Sequence, residues 1–346
     1  MKRNNFIDYA KGILITLVTI GHAIQYAVYQ DGDFWTDPVF KSIYMFHMPL
    51  FMGISGYLAY SGIQKSTFTK FTLIKLKAYI IPILAWAIIF ETVCFLIRSK
   101  TTLPALPILI IKDFFGSGLW FLWALFGCLI LTAMVKSMGR FFWILYGTSS
   151  VLVLLLPEKG NIVMLKFMYP FFQAGFIVAT IGGWKLDRIK SNIILLDAII
   201  ITAICYALWS KDSYIYTSGM VLTGVNASNI ILRFLAGFSA SIVAVFVFIK
   251  LHDITPKNLG SKIEALGRDS IYIYILQGYV FLAISRLAAK LYAPISNMAL
   301  GSMFGVTLGV VVALFCWMIG RILTKNDIVA EILFGKPQKR IQEPRP

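Results

Sequence analysis

Residues 8–25, DYAKGILITLVTIGHAIQ, decide how the rest of the chain is read. The stretch is mostly apolar and, with its flanks, long enough to cross a bilayer, which takes about 20 helical residues. His22 lies inside it, where a spanning helix has no structural need for a titratable side chain. Ionisable groups at membrane depth are costly and face a partner or a cavity, which makes His22 a candidate functional residue. Lys11 precedes it by eleven positions. At about 100° per residue those steps return to within about 20° of the same face, roughly 16 Å along the axis. Asp8 lies near that face too. The helix therefore reads as a lipid-facing cylinder with one inward polar stripe. The other reading of His22 is a buried side chain hydrogen-bonded to a neighbouring helix.

The whole chain shares this character. Of its 346 residues 58% are hydrophobic and 14% charged, with a mean hydropathy of +0.78. A soluble domain is nearer half apolar and a quarter charged. An all-α, polytopic integral membrane protein is expected, with spans at about 10–30, 39–61, 78–98, 119–136, 141–157, 163–183, 192–209, 229–250, 270–290 and 302–323. The fifth, FFWILYGTSSVLVLLLP, is short for a span. No soluble domain fits between them. Residues 1–335 read as one transmembrane domain and 336–346 as a polar, Pro-rich, disordered tail in the cytoplasm.

The formal charge of +16 would suggest nucleic acid in a soluble protein. Here the basic residues sit in short runs between apolar segments, the pattern of topology and lipid headgroups, and no nucleic-acid partner is expected. With the N-terminus inside, the inner loops and ends hold about 22 of the 32 Lys and Arg, so both termini are assigned to the cytoplasm. Asp31, Asp33 and Asp37 then fall in the first outer loop. Lys2 and Arg3 precede the first span as a secretory signal's basic residues would, but no clean cleavage site follows, and an uncleaved span is expected. Cys94, Cys128, Cys205 and Cys316 each stand alone in an apolar segment, without metal-ligand or CxxC spacing, and read as core.

Span two, FKSIYMFHMPLFMGISGYLAYSG, places His47 in its first half. Pro49 is expected to kink it, and Gly53, Ser55 and Gly56 to admit a neighbouring backbone. His47 reads either as a helix–helix hydrogen-bonding group or as a second site residue. The inner segment carrying Lys65, Lys70, Lys75 and Lys77 reads as a topology signal, as a basic amphipathic helix on the membrane, or as a cationic mouth for a phosphorylated ligand. Glu91 lies in span three. The segment after it, with Arg98, Lys100, Lys112 and Asp113, is too broken for a span and is expected to be re-entrant or to lie on the outer face. The tryptophans of GLWFLWALFGC fit an interfacial belt. Asp197 and Arg233 are candidates for buried pairing. His252 is expected to be solvated in an inner loop, and Ser270 to cap span nine. Gly301, Gly305 and Gly309 recur at four-residue spacing, which favours close helix packing.

The basic residue, ten residues and histidine of FIDYAKGILITLVTIGH resemble the R/K-X10-H motif of the membrane acyltransferase-3 family, most closely its branch of fucose 4-O-acetylase-like sugar acetyltransferases. FHMPLFMGISGYL is similar to that family's second block. KLKAYIIP resembles the basic block before its third span, with Lys75 and Lys77 where arginines are more usual. LWFLWALF and LGRDSIYIYILQ resemble later blocks. The last often ends in His in the family, where this chain has Gln277, which argues that position 277 is not an obligatory acid or base.

The resemblance implies acyl transfer from acetyl-CoA to a sugar hydroxyl of a cell-surface polysaccharide or its lipid-linked precursor, by a multi-pass protein of the inner (plasma) membrane. Acetyl-CoA is then a substrate, with no bound cofactor or metal expected, and the remaining partners are the glycan acceptor and membrane lipids. His22 and His47 are the expected catalytic residues. Lys11, Asp8, Glu91, Lys75 and Lys77 are expected to bind substrate. The chemistry needs a base for the hydroxyl proton, a donor for the oxyanion and exclusion of water. A neutral imidazole can be that base, or can itself be acetylated. A transporter or flippase of a sugar- or lipid-linked substrate, its cavity lined by His22, His47 and Glu91, would use the same groups for proton coupling.

Overall fold

The computed structural model describes residues 4–97, 105–116, 118–182, 188–295 and 297–336, and among them every regular element is a helix. Helix α1, Asn5–Ala23, starts at Asn4, whose side chain accepts from the Ile7 amide at 3.4 Å. It runs directly into a π-helical turn, Ile24–Val28. Gln30 and Asp31, with φ of 51° and 62°, then reverse the chain. Asp37 starts α2, Pro38–Lys65, by accepting the Val39 and Phe40 amides at 2.9 Å each. Pro38 takes the first helical position, where its missing N–H costs nothing. Helix α2 continues through Pro49.

Helices α3, Phe68–Lys75, and α4, Ile81–Ile97, are joined by a second π-helical turn, Leu76–Ile80, into one 30-residue run. Lys65 therefore closes α2, while Lys70, Lys75 and Lys77 lie in the first turns of the third long helix. Helix α5, Leu106–Gly116, occupies part of the segment expected to be broken; at 11 residues it is too short to span. There follow α6, Trp120–Ser137, α7, Phe142–Leu154, α8, Ile162–Thr180, α9, Arg188–Leu208, α10, Ile215–Ser218, and α11, Gly224–Ile254. The chain ends in α12, Lys257–Arg268, α13, Ser270–Leu291, α14, Met298–Leu323, and α15, Asp327–Phe334.

Eight helices among the described residues are long and apolar enough to cross a membrane. Helix α2, interrupted by Lys41, His47 and three glycines, and the 13-residue α7 occupy the other two expected positions. Most of the expected tail lies outside the described residues.

The chain forms two compact units, Met1–Tyr60 with Pro170–Gly320, and Ser61–Tyr169 with Arg321–Pro346. In the first, the glycines of α14 meet one ridge of α1: Gly301 faces Val28, Gly305 Ile24 and Gly309 Ile20. Small residues let the two backbones touch, as their spacing predicts. Gly53 and Gly56 of α2 do the same against Gly175 and Phe172 of α8. Helix α12, which hydropathy alone does not reveal, lies along the first turns of α1, with Gly267 against the Asp8 carbonyl and Gly12 against Ile263. Asp37 is fully buried, and its other oxygen accepts from Tyr29 at 3.3 Å and Ser302 at 3.2 Å, tying α14 to the turn between α1 and α2.

In the second unit α15 is fastened to α4 by Trp86 Nε1, which donates to the Leu333 carbonyl at 2.9 Å. Trp123 donates to the Phe114 carbonyl at 2.9 Å and stacks on Phe115, so this tryptophan serves internal packing. Lys166 is buried and paired with Glu158 at 3.3 Å. The four cysteines are buried and free.

Three local expectations are corrected. His252 lies in the last turn of α11 and packs edge-on against Tyr9 at 5.0 Å and Phe6 at 5.9 Å, because α11 extends further than its apolar stretch. Asp197 is exposed on α9, not buried in a pair. Asp269 rather than Ser270 stands at the N-cap of α13; its carboxylate accepts from Trp317 Nε1 at 3.0 Å, and Ser270 is buried at the first helical position.

Candidate active site

His22 lies one residue before the end of α1, where the α-spiral widens into the π-helical turn. Such turns recur at functional sites because the extra residue per turn re-aims side chains. Tyr26, within the turn, meets the imidazole edge-on at 5.7 Å. Phe281 of α13 meets it edge-on at 6.0 Å. Gln277, one helical turn before Phe281 and on the same face, reaches the same ring. Its Oε1 lies 2.6 Å from Nδ1 of His22. Gln277 is buried, whereas His22 keeps partial exposure. The imidazole is thus held by one hydrogen bond and two ring edges, in a residue that keeps partial exposure.

His47 of α2 is buried, and its Nδ1 donates to the Ile43 carbonyl in its own helix at 2.7 Å. A neutral imidazole bonded in this way presents a bare Nε2 on its other side. The two histidines lie within electrostatic range of one another. Tyr44, one turn before His47 with its ring 4.7 Å away, also packs against Gly21, beside His22. The rings of Tyr214 and Tyr216 each stand 6.3 Å from Tyr44.

Those two tyrosines belong to the segment between α9 and α11, and Arg233 holds that segment in shape. Arg233 is 1% exposed. Its guanidinium donates to the carbonyls of Ser213 at 2.7 Å, Asp212 at 2.9 Å and Tyr214 at 3.3 Å, and to Gly219 O and Ser218 Oγ. A rigid fork of five N–H donors suits such a cluster, where a lysine would not. Burial pushes the Tyr214 hydroxyl up from its ordinary range, so it stays a protonated donor at neutral pH, whereas Tyr216 is exposed.

The structure therefore brings His22 and His47 together. Asp8 is buried and Lys11 half-buried on the opening turns of α1, at the other end from His22. Lys75, Lys77 and Glu91 belong to the second unit. Lys75 lies over the Phe71 ring at 5.3 Å and Lys77 is exposed. Glu91 has one buried oxygen that makes no hydrogen bond among the described residues. Burial and the nearby Glu91 carboxylate push Asp113 up to about 6. Sequence reasoning missed Gln277, Tyr26 and Tyr44 as neighbours of the histidines, and Tyr216 as a neighbour of Tyr44. Position 277 carried a signal, because it is where the resembled block often has His.

The family described as acyltransferase domain matches residues 4–321 of the chain. The chain is 33% identical to the nodulation protein NolL of Mesorhizobium japonicum, covering 97% of this chain and 91% of that protein. It is 29% identical to the NolL of Sinorhizobium fredii, covering 97% and 93%. No solved structure matches.

Proposed function

The chain belongs to the acyltransferase-3 family and is an O-acyltransferase, and from that premise we propose that it transfers acetyl from acetyl-CoA to a sugar hydroxyl of a cell-surface polysaccharide or its lipid-linked precursor. The observation that supports this most is the partly exposed His22, its imidazole held through Nδ1, beside a second imidazole whose Nδ1 is already engaged. His22 is the base. Its Nε2 takes the proton of the acceptor hydroxyl as that oxygen attacks the thioester carbon. The tetrahedral intermediate expels the CoA thiolate, which receives the proton back from His22, giving the acetyl ester and the free thiol. His47, with a bare Nε2, accepts a hydrogen bond from an acceptor hydroxyl and orients it. A neutral His47 cannot donate to the oxyanion through that nitrogen, so the donor is the nearby Tyr44 hydroxyl.

Lys75 and Lys77 are assigned to the CoA phosphates at the cytoplasmic face, and Lys11 with Asp8 to the donor end of α1. The protein lies in the inner membrane with both termini in the cytoplasm. The deciding experiment gives purified protein acetyl-CoA with and without a glycan acceptor. Thiol release that requires the glycan, with a new O-acetyl signal in its NMR spectrum, is expected. Binding or movement of the glycan without thiol release would replace this reading by a transporter.

A further inference from the structure

We propose that Gln277 is the positioning residue that fixes the tautomer of His22, with the proton on Nδ1 and Nε2 bare, and that it does so without supplying charge. This deepens the proposed function and rests on the reading of His22 as the base.

The geometry assigns every proton in the contact. A glutamine amide offers an acceptor at one end and donors at the other. Here the orientation is set inside α13, where Nε2 of Gln277 donates to the Tyr274 carbonyl at 3.3 Å. Turning the amide over would face two acceptors, Oε1 and the Tyr274 carbonyl, against each other. Oε1 therefore points to α1. An amide oxygen only accepts, so Nδ1 of His22, 2.6 Å away, must carry the hydrogen. A neutral imidazole carries one, which leaves Nε2 with its lone pair. Gln277 is 2% exposed, so water does not compete for its oxygen. The ring edges of Tyr26 and Phe281 limit rotation of the imidazole about that bond.

An amide is not equivalent to a carboxylate at this place. A carboxylate opposite Nδ1 would favour the imidazolium and keep Nε2 protonated over a wider pH range. Among the described residues the other titratable groups around His22 are Tyr26 in its own helical run, Tyr44 and His47 of α2, and Asp31, whose carboxylate is engaged by Gln25 Nε2 at 2.9 Å. From α13 the facing groups are the uncharged Gln277 and Phe281. The position that could most readily carry a negative charge onto the imidazole carries a neutral acceptor instead. His22 thus stands ready as a base, and a proton taken from a hydroxyl is passed on to the thiolate rather than retained.

Two near-isosteric variants test this in the intact, detergent-solubilised protein. Gln277→Glu keeps the shape and adds charge; the acidic limb of its kcat/KM profile should move to higher pH by about one unit or more. Gln277→Leu removes the acceptor. Its kcat should fall on the order of 10- to 100-fold, as when other partners that orient a histidine are lost, with KM for acetyl-CoA unchanged. A readout that needs no turnover is the ¹⁵N spectrum of labelled histidine. His22, assigned by its loss in His22→Asn, should be the Nδ1–H tautomer in the native protein and a mixture in Gln277→Leu. An Nε2–H tautomer in the native protein, or a Gln277→Glu profile superimposable on the native one, would overturn the proposal. A tautomer that changes as expected in Gln277→Leu while kcat stays at the native value would uphold the positioning role and overturn the base assignment.

Discussion

A Cβ added to Gly309 of α14 would lie 2.5 Å from the Cα of Ile20 in α1, two residues from His22. No side chain fits there without moving one helix, and the same ridge continues through Gly305 and Gly301. Overpacking of a close contact costs about 1–3 kcal/mol. Gly309→Leu should therefore lower the melting temperature in detergent and reduce acetyl transfer, because the displaced turn is the one before His22. Val311→Leu, on a position 55% exposed, should change neither. A Gly309→Leu protein with native melting and turnover would show that α14 does not touch α1 here.

His22→Ala should lower kcat by about 10²–10⁴-fold, the usual share of general acid–base assistance, with the protein still inserted. Lys11→Arg should retain activity, while Lys11→Ala should mainly weaken use of the donor. The check is acetyl transfer by purified variants alongside separate acetyl-CoA binding. Native turnover by His22→Ala would reduce His22 to a packing residue.

His47 is tied to Ile43 through Nδ1, so its contribution is expected through Nε2. His47→Ala should be severely impaired in transfer yet bind acetyl-CoA normally. His47→Gln, which can still offer an acceptor, should recover part of the loss as a lower KM for the glycan. Loss of acetyl-CoA binding in His47→Ala would place this residue on the donor instead.

Lys75→Ala with Lys77→Ala should raise the KM for acetyl-CoA far more than that for the acceptor. Arginine at both positions should be tolerated, since the cationic charge is kept and arginine also pairs with phosphate. An equal loss on both substrates would point to insertion of the 30-residue helix rather than to donor binding.

Arg233→Met leaves the carbonyls of 212–214 and 219 without their donor, at about 1–3 kcal/mol for each that stays buried and unsatisfied. Limited proteolysis should then cut within 210–220, and kcat should fall as the segment packed against Tyr44 loses its shape. Arg233→Lys should rescue little, because an ammonium has three donors for a cluster of five oxygen atoms. A protease-resistant Arg233→Met loop would show that another group shapes it.

Hydropathy made the helical architecture legible because each long helix must bury its backbone groups within itself, and a run of apolar residues records that need. The Gly301, Gly305 and Gly309 spacing was equally readable, since close packing excludes anything larger. His22 stood out because a titratable group at that depth is costly. The rest depended on contacts that no local pattern records. Gln277 meets His22 across 255 positions of chain. Helix α12 is amphipathic and short, so it passed as an inner loop, although it covers the start of α1. The π-helical turns leave no composition signature: IQYAV and LKAYI would both suit an ordinary helix. Arg233 was recognised as buried, but its partners are mostly backbone carbonyls, and every residue has one of those.

The bonds of Arg233 also run against the direction of synthesis. The oxygens it gathers, from Asp212 to Gly219, leave the ribosome before it does, and Ser213 precedes it by twenty residues. Until α11 emerges and is threaded into the bilayer, the segment after α9 has no guanidinium to fold around. The tyrosine-bearing segment can therefore take its final shape only after Arg233 has been made and the helix that carries it lies alongside.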